Sequence, residues 1–294
     1  MTVTQNDWLA ARFEEHRRHL RSVAYRMLGS LSEADDAVQE GWLRVSRAGA
    51  EGVDNLGGWL TTVVARVCLD MLRSRAARRE APMESYVPDP VVTREGESDP
   101  EEEALLADSV GLALLVMLET LAPAERLALV LHDVFAVPFE EIGTLVDRSP
   151  EAARQLASRA RRRVRGATPA PDADVTRQRE VVNAFLAASR NGDFDALLNV
   201  LHPDVVFRLD RGAVPAGVSQ VARGASAVTQ LKFMFFDPGW STQPALVNGA
   251  AGLIVRLHGR PLSIIAFTVA DGRIAEIDVL ADPARVRQLD LPEP

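Results

Sequence analysis

The sequence predicts a multidomain chain in which two all-α domains, the second with a helix-turn-helix, are followed by an α+β domain. Three observations lead to this prediction. Apolar residues recur at helical spacing in two separate segments, strand-like alternation appears only toward the C-terminus, and Pro-containing stretches separate these regions. The length of 294 residues also favours two or so domains over one.

Composition narrows the class of protein. Apolar residues make up 47% and charged residues 25%, as in ordinary soluble globular proteins. The sequence shows no secretory signal, and its longest apolar run, residues 111–118, is too short to span a bilayer. A single cysteine, Cys68, excludes an internal disulfide framework and a multi-cysteine zinc site. We therefore expect a cytoplasmic protein with no membrane partner, no metal and no cofactor.

The distribution of charge is more informative than the net charge of −8, which is unusual for a protein that binds DNA. Two arginine clusters each close a helical pattern, and an acidic stretch lies between them. The clusters are Arg73, Arg75, Arg78 and Arg79, and then Arg154, Arg159, Arg161, Arg162, Arg163 and Arg165. The pattern suggests two cationic surfaces joined by an anionic linker, although any one cluster could be a solvated face.

The first domain is predicted over residues 7–79 and reads as helical throughout. Its apolar spacing breaks at Gly29-Ser30, after which Ser32 is predicted to cap a second helix. Gly57-Gly58 interrupts the pattern again, and a third helix runs from Trp59 into the first arginine cluster. A Pro-containing acidic linker is predicted over residues 80–104.

The second domain is predicted over residues 105–166 and ends in a helix-turn-helix, with helices at 139–146 and 150–164. Ser149 is suited to capping the second helix and Pro150 to its first position. Such a helix enters the major groove with its N-terminal residues toward the bases. The predicted DNA-contacting residues on it are Arg154, Gln155, Ser158, Arg159 and Arg162. A plain helical hairpin without DNA binding is the alternative.

The third domain is predicted over residues 175–290. Helical patterns at 181–189 and 194–201 precede strand-like runs at 205–209, 253–257, 264–269 and 274–280. Asp271-Gly272 between the last two strands predicts a hairpin turn. Helices followed by an antiparallel sheet indicate an α+β domain.

The segment from Glu33 to Arg44 resembles the polymerase-binding helix of sigma factors of the extracytoplasmic-function (ECF) type. The resemblance implies that its polar positions face the β′ clamp of RNA polymerase core. An acidic and amide face opposite an apolar stripe is suited to a basic partner helix, although it is more often simply solvated. These positions are Asp35, Asp36, Gln39 and Glu40.

The segment from Trp59 to Arg75 resembles the helix with which these factors read the minus-ten promoter element as an opened strand holding a flipped base. Arg66 and Asp70 stand where some relatives carry asparagines, which leaves the preferred base open. The implied phosphate contacts are Arg73, Arg75 and Arg78. The resemblance therefore implies RNA polymerase core, through its β′ clamp and β flap, and promoter DNA, both duplex and opened single strand, as partners.

Residues 175–289 resemble the SnoaL-like cone, a fold shared by polyketide cyclases, isomerases and ligand binders. An enzyme interpretation would draw on His202, Asp204, Asp210 and Arg211, since proton abstraction beside a carbonyl needs such groups in an apolar pocket. Because fold does not imply function, we expect no catalysis and leave an unidentified small ligand in the cone open.

A subset of ECF sigma factors carries this fused domain, and three short stretches resemble its motifs. They are Tyr86 to Val91 in the linker, Asp210 to Ala213, and Asp282 to Val286, the last two diverged from the usual residues. In that subset the fused domain modulates sigma activity, so we expect the linker to dock on the cone. The implied interdomain residues are Tyr86, Pro88, Asp89, Pro90, Asp210, Arg211 and Asp282.

The sequence thus predicts a sigma factor that directs RNA polymerase core to promoters and is modulated in cis by its C-terminal domain. Two alternatives stay open. One is a helix-turn-helix regulator that binds duplex DNA without polymerase, and the other is a fusion whose cone is an isomerase- or cyclase-type enzyme.

Overall fold

A computed structural model of the chain describes residues 3–77, 84–95, 111–165, 171–212, 220–229 and 239–293. The chain forms two compact units. The first contains residues 1–81, 103–108 and 117–167, and the second contains residues 82–102, 109–116 and 168–294. Part of the predicted linker therefore belongs to the same unit as the C-terminal domain.

Three helices open the first unit: α1 (Val3–Leu28), α2 (Leu31–Ala48) and α3 (Leu56–Ala77). Their apolar stripes are buried against one another, and the thiol of Cys68 lies in this core, where burial raises its pKa. The expectation that Ser32 caps α2 was wrong. The chain turns at Gly29 (φ 68°), α2 begins at Leu31, and the Ser30 hydroxyl accepts a hydrogen bond from the Glu33 amide.

The second helical domain contains α4 (Leu112–Glu119), α5 (Pro123–Leu129), a π-helical turn (Val130–Val134), α6 (Phe139–Val146) and α7 (Pro150–Arg165). The α6–α7 pair is the predicted helix-turn-helix, with bounds within one residue of those expected. Asp147 ends α6 in the left-handed conformation (φ 55°), and the Ser149 hydroxyl accepts from the Ala152 amide at 3.2 Å. A side chain at Gly143 would contact the Arg148 carbonyl, so the turn approaches α6 closely.

The two helical domains pack against each other within the first unit. Arg126 of α5 is 2% exposed, donates to the Met27 carbonyl at the end of α1 at 3.0 Å, and pairs with Glu119 at 2.7 Å. The guanidinium of Arg26 lies 5.1 Å from the ring centroid of Phe135. Two acceptors thus share the Nη1 of this buried cation, and the Glu119 carboxylate supplies the opposite charge.

The second unit is built on a seven-stranded sheet in the order β1-β4-β5-β6-β7-β2-β3. The strands are β1 (Val92–Thr93), β2 (Leu201–Asp210), β3 (Gln220–Arg223), β4 (Trp240–Val247), β5 (Ala250–Leu257), β6 (Arg260–Ala270) and β7 (Arg273–Leu280). The helices are α8 (Val175–Asn191), α9 (Phe194–Val200), α10 (Ala225–Thr229) and α11 (Pro283–Val286). Among the described strands, β2 and β7 pair in parallel and the other neighbours pair antiparallel, so the sheet is mixed and the predicted antiparallel sheet was wrong at this one pairing.

Alternation along the strands gives the sheet two different faces. Val205, Phe207 and Leu209 of β2 join an apolar core with Phe185 of α8. The intervening residues Arg208 and Asp210 lie on the opposite face and are also buried. The Asp271-Gly272 turn between β6 and β7 is confirmed, with φ values of 52° and 70°. Residues 202–204, which lie between the predicted helix and the predicted strand, are inside β2, whose pairing with β7 is interrupted there.

Within the described ranges, the helices are all too short or too polar to cross a membrane.

Candidate functional site

The predicted polymerase-binding residues lie together on the outer face of α2. Asp35, Asp36 and Gln39 are exposed and Glu40 is half-buried, whereas the opposite stripe of the helix is buried. Arg21 of α1 donates to Asp35 through Nε at 2.7 Å and through Nη2 at 3.2 Å. The face is therefore acidic, but one of its carboxylates is already neutralised by a neighbouring helix.

The α3 helix presents Arg66, Asp70 and Arg73 on exposed positions. Arg44 of α2 connects this surface to the acidic one, because its guanidinium donates to Glu40 at 2.9 Å and to Asp70 at 3.4 Å. Both carboxylates raise the pKa of Arg44, with the Glu40 hydrogen bond as the largest cause.

Arg75 is not brought together with Arg66 and Arg73. Its side chain turns back to the end of α1, where it donates to the Leu28 carbonyl at 3.4 Å and pairs with Glu33. The last predicted residue of this group, Arg78, lies outside the described residues.

On α7 the predicted DNA-contacting residues share one exposed face. Ala153, Leu156, Ala157 and Ala160 form its buried stripe. Arg154, Gln155, Ser158, Arg159 and Arg162 are exposed, at the helical spacing that one face requires. The guanidinium of Arg154 also lies 5.1 Å from the ring centroid of Phe139, which holds it at the start of the helix.

Sequence reasoning missed two acidic residues that engage the arginines of α7. Glu125 of α5 accepts from Arg159 Nε at 3.1 Å and from Arg163 Nη1 at 2.9 Å. Asp133 accepts from Arg161 through two contacts of 2.6 Å. Their charge was the only sequence signal, because pairing across 28 to 38 residues depends on the tertiary fold.

The linker segment Ser85–Thr93 is largely buried on the cone. Its β1 residues pair with β4, and the Val91 amide donates to Asn248 Oδ1 at 3.1 Å while the Val91 carbonyl accepts from the Asn248 amide at 2.8 Å. Farther upstream, the Val87 amide donates to Asp210 Oδ2 at 3.0 Å. Backbone contacts therefore fix this segment at both of its ends.

Arg285 of α11 joins the linker to the sheet. Its Nε donates to Asp89 Oδ1 at 2.7 Å, Nη1 to Asp210 Oδ2 at 2.8 Å, and Nη2 to the Val87 carbonyl at 2.6 Å. The guanidinium also lies 4.9 Å from the Tyr86 ring centroid. Burial opposes its charge, but the carboxylates of Asp89 and Asp210 outweigh burial and raise the pKa of Arg285.

The other predicted interdomain residues surround this contact. Asp282 caps α11 by accepting from the amides of Ala284 at 2.8 Å and Arg285 at 3.4 Å, which orients the arginine. Pro88 and Pro90 are buried and Arg211 is exposed. Arg285 itself was missed, although it lies inside the Asp282–Val286 stretch that the resemblance had marked.

The residues considered for an enzyme are not gathered in one place. His202 and Asp210 stand at opposite ends of β2, about 26 Å apart at the usual rise per residue. His202 Nδ1 accepts from the Asp204 amide in an exposed position, and Asp210 is held by Arg285. Among the described residues, no group of His, Cys, Asp and Glu side chains could hold a metal ion.

A second buried ionic group lies on the sheet and was also missed from the sequence. Arg208 Nη1 donates to Glu276 at 3.1 Å and to Asp278 at 2.9 Å, and all three side chains are at most 6% exposed. Burial raises the pKa of Asp278 despite the opposing effect of Arg208. One cation therefore serves two carboxylates in the interior.

Each of the two helical domains matches a known protein family. Residues 12–78 match Sigma-70 region 2, and residues 111–164 match Sigma-70 region 4. Both matches fall on the helices described above.

Similar proteins cover nearly the whole chain. The ECF RNA polymerase sigma factor SigJ of Mycobacterium tuberculosis is 42% identical over 92% of this chain and 91% of its own length. A protein of the same organism named "Probable ECF RNA polymerase sigma factor SigI" is 34% identical over 98% of each chain. The crystal structure of M. tuberculosis SigJ has a TM-score of 0.75 and 37% identity, covering 96% of this chain and all of that one.

These similarities confirm the predicted resemblance to ECF sigma factors and the predicted order of two helical sigma domains followed by an α+β domain. They do not favour a regulator that works without polymerase. The chain belongs to the ECF RNA polymerase sigma factors, and its function is to direct RNA polymerase core to promoters.

Proposed function

We propose that α2 binds the β′ clamp of RNA polymerase core, that the second helical domain contacts the β flap, and that α3 and α7 read the opened and duplex parts of the promoter. We further propose that the SnoaL-like domain regulates this activity by holding the linker. The observation that carries the regulatory proposal is the contact of the half-buried Arg285 with Asp89, Asp210 and Val87.

The acidic face of α2 supports the polymerase contact. Asp36 and Gln39 are exposed on the side of α2 that is turned away from its own core. Exposed ion pairs such as Arg21–Asp35 contribute only about 0–1 kcal/mol, so a basic partner helix can replace the arginine at little cost.

Charge reversal tests the polymerase contact. The double variant Asp35→Lys/Asp36→Lys should no longer co-elute with purified core polymerase at low salt. Glu15→Lys on α1 is the matched control, since it reverses an exposed carboxylate elsewhere on the same domain and should leave co-elution unchanged. Normal co-elution of the double variant would remove α2 from the interface.

The exposed arginines of α3 and α7 support the two DNA contacts. Arg66 and Arg73 present cations beside one helix face, as an opened single strand requires. On α7, Arg154 and Gln155 lie near the N-terminal end that a recognition helix directs to base edges. Arg162 lies two turns farther along, where it would meet phosphate.

The docked linker supports regulation in cis. In the family, the connector between the two sigma domains passes through polymerase channels. Residues 85–93 cannot be docked on the sheet and lie in such a channel at the same time. The cone therefore competes with polymerase for the linker. We expect release of the linker to raise activity, and we propose no catalytic role for the cone.

Arg285→Ala in the full chain tests this regulation. Its loss leaves Asp89 and Asp210 buried without their cation, which strongly disfavours the docked linker. Promoter-dependent transcription with limiting core polymerase should rise several-fold, and protease should cleave the linker faster. Arg287→Ala, at an exposed arginine two residues along, is the matched control. Faster cleavage with unchanged transcription would show that docking has no regulatory effect.

A further inference from the structure

We infer that Glu125 is a positioning residue that determines promoter specificity by holding Arg159 of α7 in the orientation that reads a guanine. The inference rests on the proposed role of α7 as the DNA-reading helix. It extends that role to a residue on another helix that does not itself contact DNA.

Glu125 differs from the surface carboxylates of the helical domains in its burial. Its side chain is only 9% exposed, whereas those of Arg159 and Arg163 are 47% and 59% exposed. Its two oxygens are divided between two arginines one turn apart, Oε1 to Arg159 and Oε2 to Arg163. A single buried acid thus restrains two long side chains at the edge of the exposed face of α7.

These contacts cannot be exchanged for DNA contacts at little cost. If both arginines left Glu125, its carboxylate would stay buried without a cation, which is strongly unfavourable. The arginines must therefore meet DNA while Glu125 still holds them. This requirement distinguishes Arg159 from Arg162, which has no ion pair or hydrogen bond within the part of the chain that the structure describes.

The atoms that Glu125 uses determine which atoms remain for DNA. Arg159 donates to Glu125 through Nε, so both terminal nitrogens stay available. Two parallel donors are what the O6 and N7 acceptors of guanine require in the major groove. Arg163 uses one terminal nitrogen, Nη1, and is better suited to a phosphate.

Asp133 provides a matched comparison within the same domain. It accepts from Arg161 with similar distances, but Arg161 is half-buried and lies beside the exposed face of α7. Removing the charge of Glu125 or of Asp133 changes the net charge of the domain by the same amount. General attraction to phosphate therefore changes equally in the two variants. Any difference between them in base preference must come from which arginine the lost carboxylate held in place.

The experiment uses the full chain bound to core polymerase and a library of duplexes randomised upstream of a mapped start site. Glu125→Gln should lower the preference for guanine at one position about tenfold, and Arg159→Ala should lower it at the same position. The double variant should lose no more than Arg159→Ala alone, because the acid acts through the arginine. Asp133→Asn should keep the wild-type preference, and Glu125→Asp should restore part of it.

Three results would overturn the inference. If Glu125→Gln keeps the full guanine preference while Gln155→Ala alters the selected sequences, α7 reads DNA without help from Glu125. If Glu125→Gln weakens selection equally at all positions together with a lower melting temperature, its role is structural. If Gln155→Ala, Arg159→Ala and Arg162→Ala all leave the selected sequences unchanged, α7 is not the DNA-reading helix and the proposed function fails first.

Discussion

Two regions of the molecule, the exposed face of α2 and the buried face of the sheet, use ion pairs in different ways. In the helical unit, pairs such as Arg21–Asp35 and Arg44–Glu40 lie on the surface, with side chains 29% to 56% exposed. In the unit with the cone, Arg208 contacts two carboxylates and the three side chains are at most 6% exposed. Surface pairs cost little to separate, whereas breaking a buried pair leaves an unsolvated charge. The exposed face of α2 therefore carries exchangeable pairs, whereas the group around Arg208 on the sheet is permanent.

The largest expected effect comes from removing the buried cation of the sheet. Arg208→Met should lower the free energy of unfolding by about 3–5 kcal/mol, because it removes the cation from the buried carboxylates of Glu276 and Asp278. Urea denaturation followed by circular dichroism measures the loss. Arg223→Met, at an exposed arginine of β3, is the control and should change little. A loss below about 1 kcal/mol would show that this group is not a permanent pair.

A glycine beside the Arg285 contact should give the next largest effect. Gly212 has φ +70°, and an added Cβ would collide with the carboxylate of Asp282, the cap of α11. Gly212→Ala should cost about 1–3 kcal/mol for the left-handed backbone and should also speed protease cleavage of the linker. Gly272→Ala, with the same φ and no atom nearby, isolates the backbone cost. Equal cleavage rates in the two variants would show that displacing Asp282 has no effect on the docking of the linker.

The sequence could predict the parts of this fold that depend on local patterns. The α6–α7 pair was found because Ser149 and Pro150 mark a helix start, and the β6–β7 turn because Asp271-Gly272 suits positive φ. β1 was missed because two residues are a strand only when β4 lies beside them. The contacts of Arg285 were missed for a similar reason, since Asp89 is 196 residues away. Local patterns report helices and turns, whereas these contacts form only when the chain is folded.

The pH dependence of stability provides a smaller effect within the same buried group. Burial raises the pKa of Asp278, so the folded state holds its proton to a higher pH than the unfolded chain does. The contribution of protonated Asp278 to stability is complete below the pKa of the unfolded chain. It is lost as pH rises through the raised pKa of the folded state. An asparagine has no proton to lose, so Asp278→Asn should lose less stability than wild type between pH 4 and pH 8. The difference should be about 1.4 kcal/mol for each unit by which folding raises the pKa of Asp278.

Thermal melts across this pH range measure the difference between wild type and Asp278→Asn. Asp204→Asn, at an exposed aspartate of β2, is the control and should follow the wild-type curve. Parallel curves for wild type and Asp278→Asn would mean that Asp278 is ionised in the folded protein over the whole range. Arg208 would then fully compensate the burial of both carboxylates.

The smallest effect on stability should come from the exposed pair between Arg21 and Asp35 of α2. Here a substitution should barely change stability but should change binding to the partner. Arg21→Ala removes an exposed pair and should cost less than about 1 kcal/mol of unfolding free energy. It should nevertheless tighten binding to core polymerase by about twofold to fivefold, since a basic partner no longer has to displace Arg21 from Asp35.

Fluorescence titration with labelled core polymerase measures this affinity. Arg17→Ala on the same helix, whose partner Glu14 lies outside α2, should leave it unchanged. Weaker binding of Arg21→Ala would mean that Arg21 contacts polymerase directly. The polymerase would then not displace Arg21 from Asp35, and the pair would not be exchangeable.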